Sequence, residues 1–312
     1  MLTRREWLAG VLLAPAARAA ASWRPPGVLI DTHIHLFSAD QLHFPYSARN
    51  AVYLPPSYPL ERFVELAKKA RLDHAVIVQP EPYQDDHRYL EYCLEHEPQK
   101  GFFKAACLFD PIDPQTPQRM QTLVRKNPGR IIALRIHEEH APGTSPSITG
   151  PIRERDLRSP QMTRTWQAAY DLGLAIQLNF IPYYAPQIGA LAAKFEGMPI
   201  VLDHLAQAGH GTTAEYDEVL RLAEFPRVYM KFTRSGVEVS SKQPYPHLDA
   251  KSIVKRTYQA FGADRMIWGG LGSNLADIQQ SCELLDIMFD FAPQSERAKI
   301  RGLTAQKLFD FK

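Results

Sequence analysis

From residue 28 onward, eight short apolar runs recur at intervals that fit strand–helix units, and this repetition limits the possible folds more than any other feature. The runs are Val28–His35, His74–Gln79, Phe103–Phe109, Ile131–Ile136, Ala175–Asn179, Ile200–His204, Val228–Phe232 and Met266–Gly269. Their start-to-start spacings are 46, 29, 28, 44, 25, 28 and 38 residues. Each interval holds a strand, a helix and their connections, some with loop insertions. Helical periodicity fills the gaps, with Leu60, Phe63, Val64 and Ala67 three or four apart, as are Leu284, Leu285, Met288 and Phe291. Ser159-Pro160 and Thr116-Pro117 read as a cap followed by proline in the first helical turn.

Runs that are apolar on both faces suit a parallel sheet covered by helices. Eight such units predict a closed (β/α)8 TIM barrel rather than a doubly wound sheet. With 312 residues, 45% hydrophobic and 22% charged, the chain can bury one large core, and disordered or coiled-coil readings are excluded. No repeat or low-complexity linker divides residues 22–312, which read as one domain. The formal charge of +2 is carried by residues 1–21, where Arg4, Arg5 and Arg18 outnumber Glu6. The balanced remainder gives no electrostatic reason to expect a nucleic-acid or membrane partner. A small-molecule substrate is expected instead, and a homo-oligomer is compatible with the sequence.

Residues 1–21 carry a basic start, a short apolar run from Ala9 to Ala14 and the small-residue stretch Ala16 to Ala21. That pattern is a cleaved export signal, and the Arg4-Arg5 pair resembles the twin-arginine type that exports folded proteins to the periplasm. The apolar run is shorter than the roughly 20 residues that span a bilayer. Cys93, Cys107 and Cys282 lie far apart, in no metal-ligand spacing, and read as buried thiols rather than a disulfide framework.

In a barrel, chemistry gathers at the C-terminal ends of the strands. Strand one ends Asp31-Thr32-His33-Ile34-His35, and a period of two places Asp31, His33 and His35 on one face. Strand six ends in Asp203-His204 and brings a third histidine to the same height. Strand four ends with Arg135 and His137 on a shared face, strand five offers Gln177 and Asn179, strand two ends at Gln79, and strand seven contains Lys231. Polar groups converging from separate strands point to a pocket. Arg135 and Lys231 could clamp an anionic substrate, with Gln79 and Asn274 as further substrate contacts.

These segments resemble the amidohydrolase superfamily, most closely the amidohydrolase-related branch that includes 2-pyrone-4,6-dicarboxylate lactonase and the sugar lactonases. The resemblance is carried by Asp31-Thr32-His33-Ile34-His35, by Ala75 to Pro80 with Asp86-His87-Arg88 behind it, and by Asp203-His204. Val228 to Phe232 and Ala263-Asp264-Arg265-Met266-Ile267-Trp268-Gly269 complete it. It implies a hydrolase of the lactonase type. It also implies an aspartate at the end of strand eight, yet the chain reads Trp268-Gly269-Gly270-Leu271-Gly272-Ser273-Asn274. The carboxylate position falls on Gly270 or Leu271, with Asn274 the nearest polar substitute and Asp277 the first carboxylate downstream.

Two routes stay open. His33, His35 and His204 could hold one divalent metal, zinc or manganese, and lower the pKa of a bound water. Alternatively, the histidines act without metal by hydrogen bonding the substrate carbonyl, as the resembled pyrone lactonase implies. His33, His35, His204 and His137 are the expected catalytic residues, with His137 or His204 as base and Glu138 or Glu139 as its possible replacement. A lyase is the competing reaction class, and a non-catalytic binding barrel is the third reading.

Overall fold

The computed structural model describes residues 25–49 and 54–312, so the export signal expected over 1–21 lies outside the described residues. Eight strands follow in chain order. They are β1 (Ile30–Ile34), β2 (His74–Val78), β3 (Phe103–Leu108), β4 (Ile131–Glu138), β5 (Ala175–Phe180), β6 (Ile200–Leu202), β7 (Val228–Thr233) and β8 (Met266–Gly269). The helices packed around them are α1 (Leu60–Ala70), α2 (Arg88–Glu95), α3 (Thr116–Lys126), α4 (Pro160–Asp171), α5 (Ala185–Lys194), α6 (Thr213–Arg221), α7 (Arg234–Ser240), α8 (Lys251–Phe261) and α9 (Leu275–Met288). Parallel ladders join neighbouring strands from β1 through to β8, which is the (β/α)8 barrel that the spacing predicts.

Two polar side chains stitch the seam between the first and last strands. Thr32 Oγ1 donates to the Trp268 carbonyl at 2.6 Å, and Asp31 Oδ1 accepts from the Gly270 N–H at 2.8 Å. Inside the barrel, Ile30, Val76, Ala106, Ala133, Val201 and Ile267 form an apolar floor. A second, larger core lies between the strands and the helices. The polar strand ends therefore stand on a dry, close-packed base, which holds their geometry fixed.

Helix starts follow local chemistry. Ser159 caps α4, accepting from Met162 N at 3.0 Å with Pro160 at the first position. At α3 the flanking residue is Gln115 rather than Thr116, whose hydroxyl instead donates to the Asp110 carbonyl at 2.5 Å. All three cysteines are buried and free. No helix among the described residues is long and apolar enough to cross a membrane.

Candidate active site

The pleat of β1 departs from strict alternation. Asp31 pairs with Ala75 and Ile34 with Ile77, so three steps on β1 face two on β2. This bulge places Thr32 and His33 consecutively between two outward residues. Asp31 therefore does not share a face with His33 and His35, as simple alternation predicts. Its Oδ2 lies with Trp268 and Ile278 around Gly270, in the layer beneath α9. Burial pushes its carboxyl up to about 6, against the Gly270 and His33 N–H groups and Lys231, which draw it down.

His33 and His35 reach the mouth. Gly269 leaves room for the first of them, since a Cβ there would fall 2.8 Å from His33 Cβ. His35 Nδ1 lies 2.8 Å from the Val78 carbonyl, which can only accept, so that nitrogen carries the proton and Nε2 the lone pair. The 3.3 Å contact between His33 Nε2 and His35 Nε2 then needs the proton on His33. His33 Nδ1 is left to accept from Lys231 Nζ, also at 3.3 Å. A one-way chain results, from the Lys231 ammonium through His33 and His35 to a backbone carbonyl.

Strand six ends earlier than the apolar run suggests. The strand stops at Leu202, and His204, Leu205, Ala206 and Gln207 all take left-handed backbone angles, with φ of 53°, 52°, 53° and 51°. Such angles in non-glycine residues cost about 1 kcal/mol or more each. The turn sets His204 Nδ1 2.9 Å from Thr233 Oγ1 and its ring 4.6 Å from that of His33. Gly236, at the start of α7, packs directly under it, where a Cβ would sit 2.5 Å from the His204 carbonyl carbon.

All three imidazoles are neutral at pH 7, because burial disfavours the charged form. Burial is the main cause for each, assisted by Lys231 at His33 and by Arg135 at His35 and His204. His35 is drawn down to about 3 and His204 to about 4.

Asp203 is the residue that motif reading undervalued. It belongs to the Asp203-His204 signature, but the histidine alone was expected to act. Fully buried, its carboxylate has Lys231 Nζ at 3.0 Å, Gln177 Nε2 at 2.9 Å and Arg135 Nε at 3.5 Å. Burial pushes its pKa up, and the Lys231 ammonium beside it, with the neighbouring His33, more than reverses that, so it stays ionised.

The expected three-histidine metal set is not the one the fold brings together. Among the described residues, His33, Asp203 and His204 are the group whose ligand atoms lie within 4.8 Å of one another, while His35, its Nε2 3.3 Å from His33 Nε2, stays outside that group. These three donors could gather around an ion, but Lys231 already contacts two of them. With the Lys231 ammonium already on the Asp203 carboxylate, a divalent ion would find a neutralised charge and two neutral imidazoles. The arrangement as it stands does not suit a resident divalent metal, because its cation is a lysine.

The expected substrate contacts divide. Arg135 is buried beside Asp203, with its Nε 3.5 Å from Oδ2 and making no hydrogen bond. Lys231 is committed to Asp203, His33 and the Thr32 carbonyl, so it is not free to clamp a substrate. Gln79 donates both amide hydrogens to the Gln84 and Asp86 carbonyls at 3.1 and 2.8 Å and braces a loop. Asn274 is exposed and caps α9, accepting from Asp277 N at 3.1 Å, away from the histidines. His137 lies with its Nδ1 3.3 Å from Glu81 Oε1 and 3.6 Å from Glu139 Oε2. Beside His35, a cavity of about 310 Å³ is walled by Phe37, Tyr58 and Leu271, with Arg62 at its edge.

The family model described as Amidohydrolase matches residues 30–311. The chain belongs to the amidohydrolase family. Among its relatives, this amidohydrolase is 24% identical over 272 residues to 4-sulfomuconolactone hydrolase of Rhizobium radiobacter, covering 82% of this chain and 79% of the relative. It is 24% identical over 247 residues to L-fucono-1,5-lactonase of Burkholderia ambifaria, covering 77% and 78%. A crystal structure from Pseudomonas putida, named provisionally as a 2-pyrone-4,6-dicarboxylic acid hydrolase, superposes with a TM-score of 0.70 at 19% identity, covering 91% of this chain and 98% of that one. The chain is thus an amidohydrolase-family member on the barrel that its sequence predicts.

Proposed function

We propose that this amidohydrolase opens a small lactone that carries a carboxylate or similar anionic group. The observation that carries this reading is the chain of hydrogen bonds from Lys231 through His33 to His35, whose ring feels the charge of Arg135. When substrate binds, the proton on His33 Nε2 can turn from His35 to the lactone carbonyl, and the Lys231 contact to Nδ1 strengthens that donor. Arg135 adds a fixed positive charge where the oxyanion forms, in a buried site where charge is poorly screened. Asp203 acts through others, holding Lys231 and Arg135 in place. Phe37, Tyr58 and Leu271 suit the flat face of a ring, and Arg62 suits its anionic substituent. The named activities of the two curated relatives, on a sulfomuconolactone and a fuconolactone, support the same class.

No step in this reaction is routed through a metal. In the same reading, residues 1–21 carry the folded enzyme to the periplasm. Turnover of a panel of anionic lactones in ¹⁸O-labelled water tests the reaction class, because hydrolysis places one solvent oxygen in the new carboxylate. Label-free product would favour the lyase alternative, which draws on the missing strand-eight carboxylate. His33→Ala and His204→Ala should each lower kcat/KM by at least about a hundredfold while the protein remains folded. Activity retained in both would remove the histidine assignment.

A further inference from the structure

Hydrolysis needs a proton acceptor for the attacking water, and the end of β8 provides none. A Cβ at Gly270 would fall 2.5 Å from Asp31 Oδ2, 2.9 Å from Trp268 and 3.0 Å from Ile278, so this backbone leaves no space for a side chain there. Leu271 is an alkyl wall of the cavity beside His35. Asp277 is engaged by Ser273 N and Oγ and by Asn274 Nδ2, at 2.9, 2.8 and 2.9 Å.

The other carboxylates near the mouth are also committed. Asp31 faces the layer under α9, Asp203 is held between two cations, and Glu81 is paired with Arg153. Glu138 points to the opposite side of β4 and pairs with His140.

We infer that the missing carboxylate is supplied from across the barrel mouth, by Glu139 immediately after β4, as the general base of the lactone opening proposed above. Three elements aim it. Asn179 Nδ2, on β5, donates to Glu139 Oε2 at 3.0 Å. Gln207 Nε2, on the left-handed turn after β6, donates to Glu139 Oε1 at 3.1 Å and to Asn179 Oδ1 at 3.0 Å. His137 Nδ1 stands 3.6 Å from Oε2. The side chain keeps 26% of its surface accessible, unlike Asp203 and Lys231 at 0%, so water can reach it.

Burial pushes the Glu139 carboxyl up, but His137, Arg135 and Arg153 outweigh that and hold it below its ordinary value. It is therefore ionised at neutral pH, and each oxygen keeps a lone pair beyond the one taken by an amide. The strained turn gains a purpose here. One run of left-handed residues seats His204 at one end and delivers the Gln207 amide to Glu139 at the other.

The step balances with water alone. Glu139 removes one proton as the water oxygen bonds to the carbonyl carbon, and the oxyanion rests against His33 and Arg135. Collapse of the adduct breaks the acyl–oxygen bond, and the ring oxygen takes the proton back from Glu139. The product is the hydroxy acid, one water heavier than the lactone.

The test compares wild type, Glu139→Gln and Glu139→Asp on a lactone that the wild type turns over, with thermal unfolding recorded for each. Glu139→Gln should keep KM within a few fold and lower kcat by at least about a hundredfold. It should also lose the acid limb of the kcat/KM profile, which a purely structural role would leave in place. Glu139→Asp, which keeps a carboxylate, should retain both the limb and part of the rate. A Glu139→Gln enzyme within fivefold of wild type, or with its acid limb intact, would overturn the assignment while leaving the lactonase reading standing. A wild type inactive on every anionic lactone would overturn both.

Discussion

Replacing Lys231 by methionine probes the electrostatic centre of the barrel most directly. The Lys231 ammonium lies 3.0 Å from Asp203 Oδ1, with both side chains fully buried. Removing one member of a buried pair leaves an uncompensated charge and typically costs about 3–5 kcal/mol. Gln177 at 2.9 Å and Arg135 at 3.5 Å still face the carboxylate, so the lower end, about 3 kcal/mol, is expected. At roughly 2–4 °C per kcal/mol for a domain of this size, the midpoint should fall by about 6–12 °C. Urea denaturation should show the same loss with an unchanged slope.

The double variant Lys231→Met/Asp203→Asn removes both charges, and a coupling of at least about 1 kcal/mol should separate it from the sum of the single variants. Lys231→Met alone frees His33 Nδ1 and Asp203 for a real cation. Zinc at a hundredfold excess over its Kd should then raise the stability of Lys231→Met by about 3 kcal/mol and leave the wild type unchanged. A loss below about 1 kcal/mol for Lys231→Met, or a wild type that holds zinc as tightly as the variant, would refute the view that lysine is the cation of this site.

Three other perturbations separate the site from its scaffold. Gly236→Ala should force the backbone of His204 to move, lowering kcat by at least about tenfold at a stability cost of about 1–3 kcal/mol; activity equal to wild type would show that the turn can yield. Asn274→Ala should lose the α9 cap, about 1 kcal/mol, with kcat/KM unchanged on the same lactone; a large rise in KM would restore Asn274 as a substrate contact. His87 is neutral and accepts the Leu108 N–H at 3.1 Å, and burial draws its pKa from 6.5 to about 4. Its folded form favours the neutral ring, so the stabilisation is complete above pH 6.5 and is lost as pH falls toward 4, by about 3 kcal/mol. His87→Gln should flatten that dependence in acid denaturation, and an unchanged pH profile would exclude His87 as its source.

The barrel was legible because its signal is distributed along the chain. Each of the eight apolar runs has to be buried on both sides, and their spacing admits one strand and one helix per interval, so local chemistry and global fold agree. His33, His35, Arg135 and His204 were legible for a related reason, since polar side chains at the ends of apolar strands need a common destination. Gln79 and Asn274 looked the same in sequence, yet their amides answer to nearby loop carbonyls and to a helix N-terminus. Such short-range bonds depend on turn geometry, which residue order does not specify.

Residue order by itself determined the architecture and the inventory of groups at the mouth, because periodicity and burial are properties of one segment at a time. Tertiary structure alone decided how those groups are paired. The bulge turned Asp31 from His33 to Gly270, burial gave Asp203 to Lys231, and the left-handed turn carried Gln207 to Glu139. Each of these joins residues distant in the chain, where a shift of about an ångström decides which partner a charge takes.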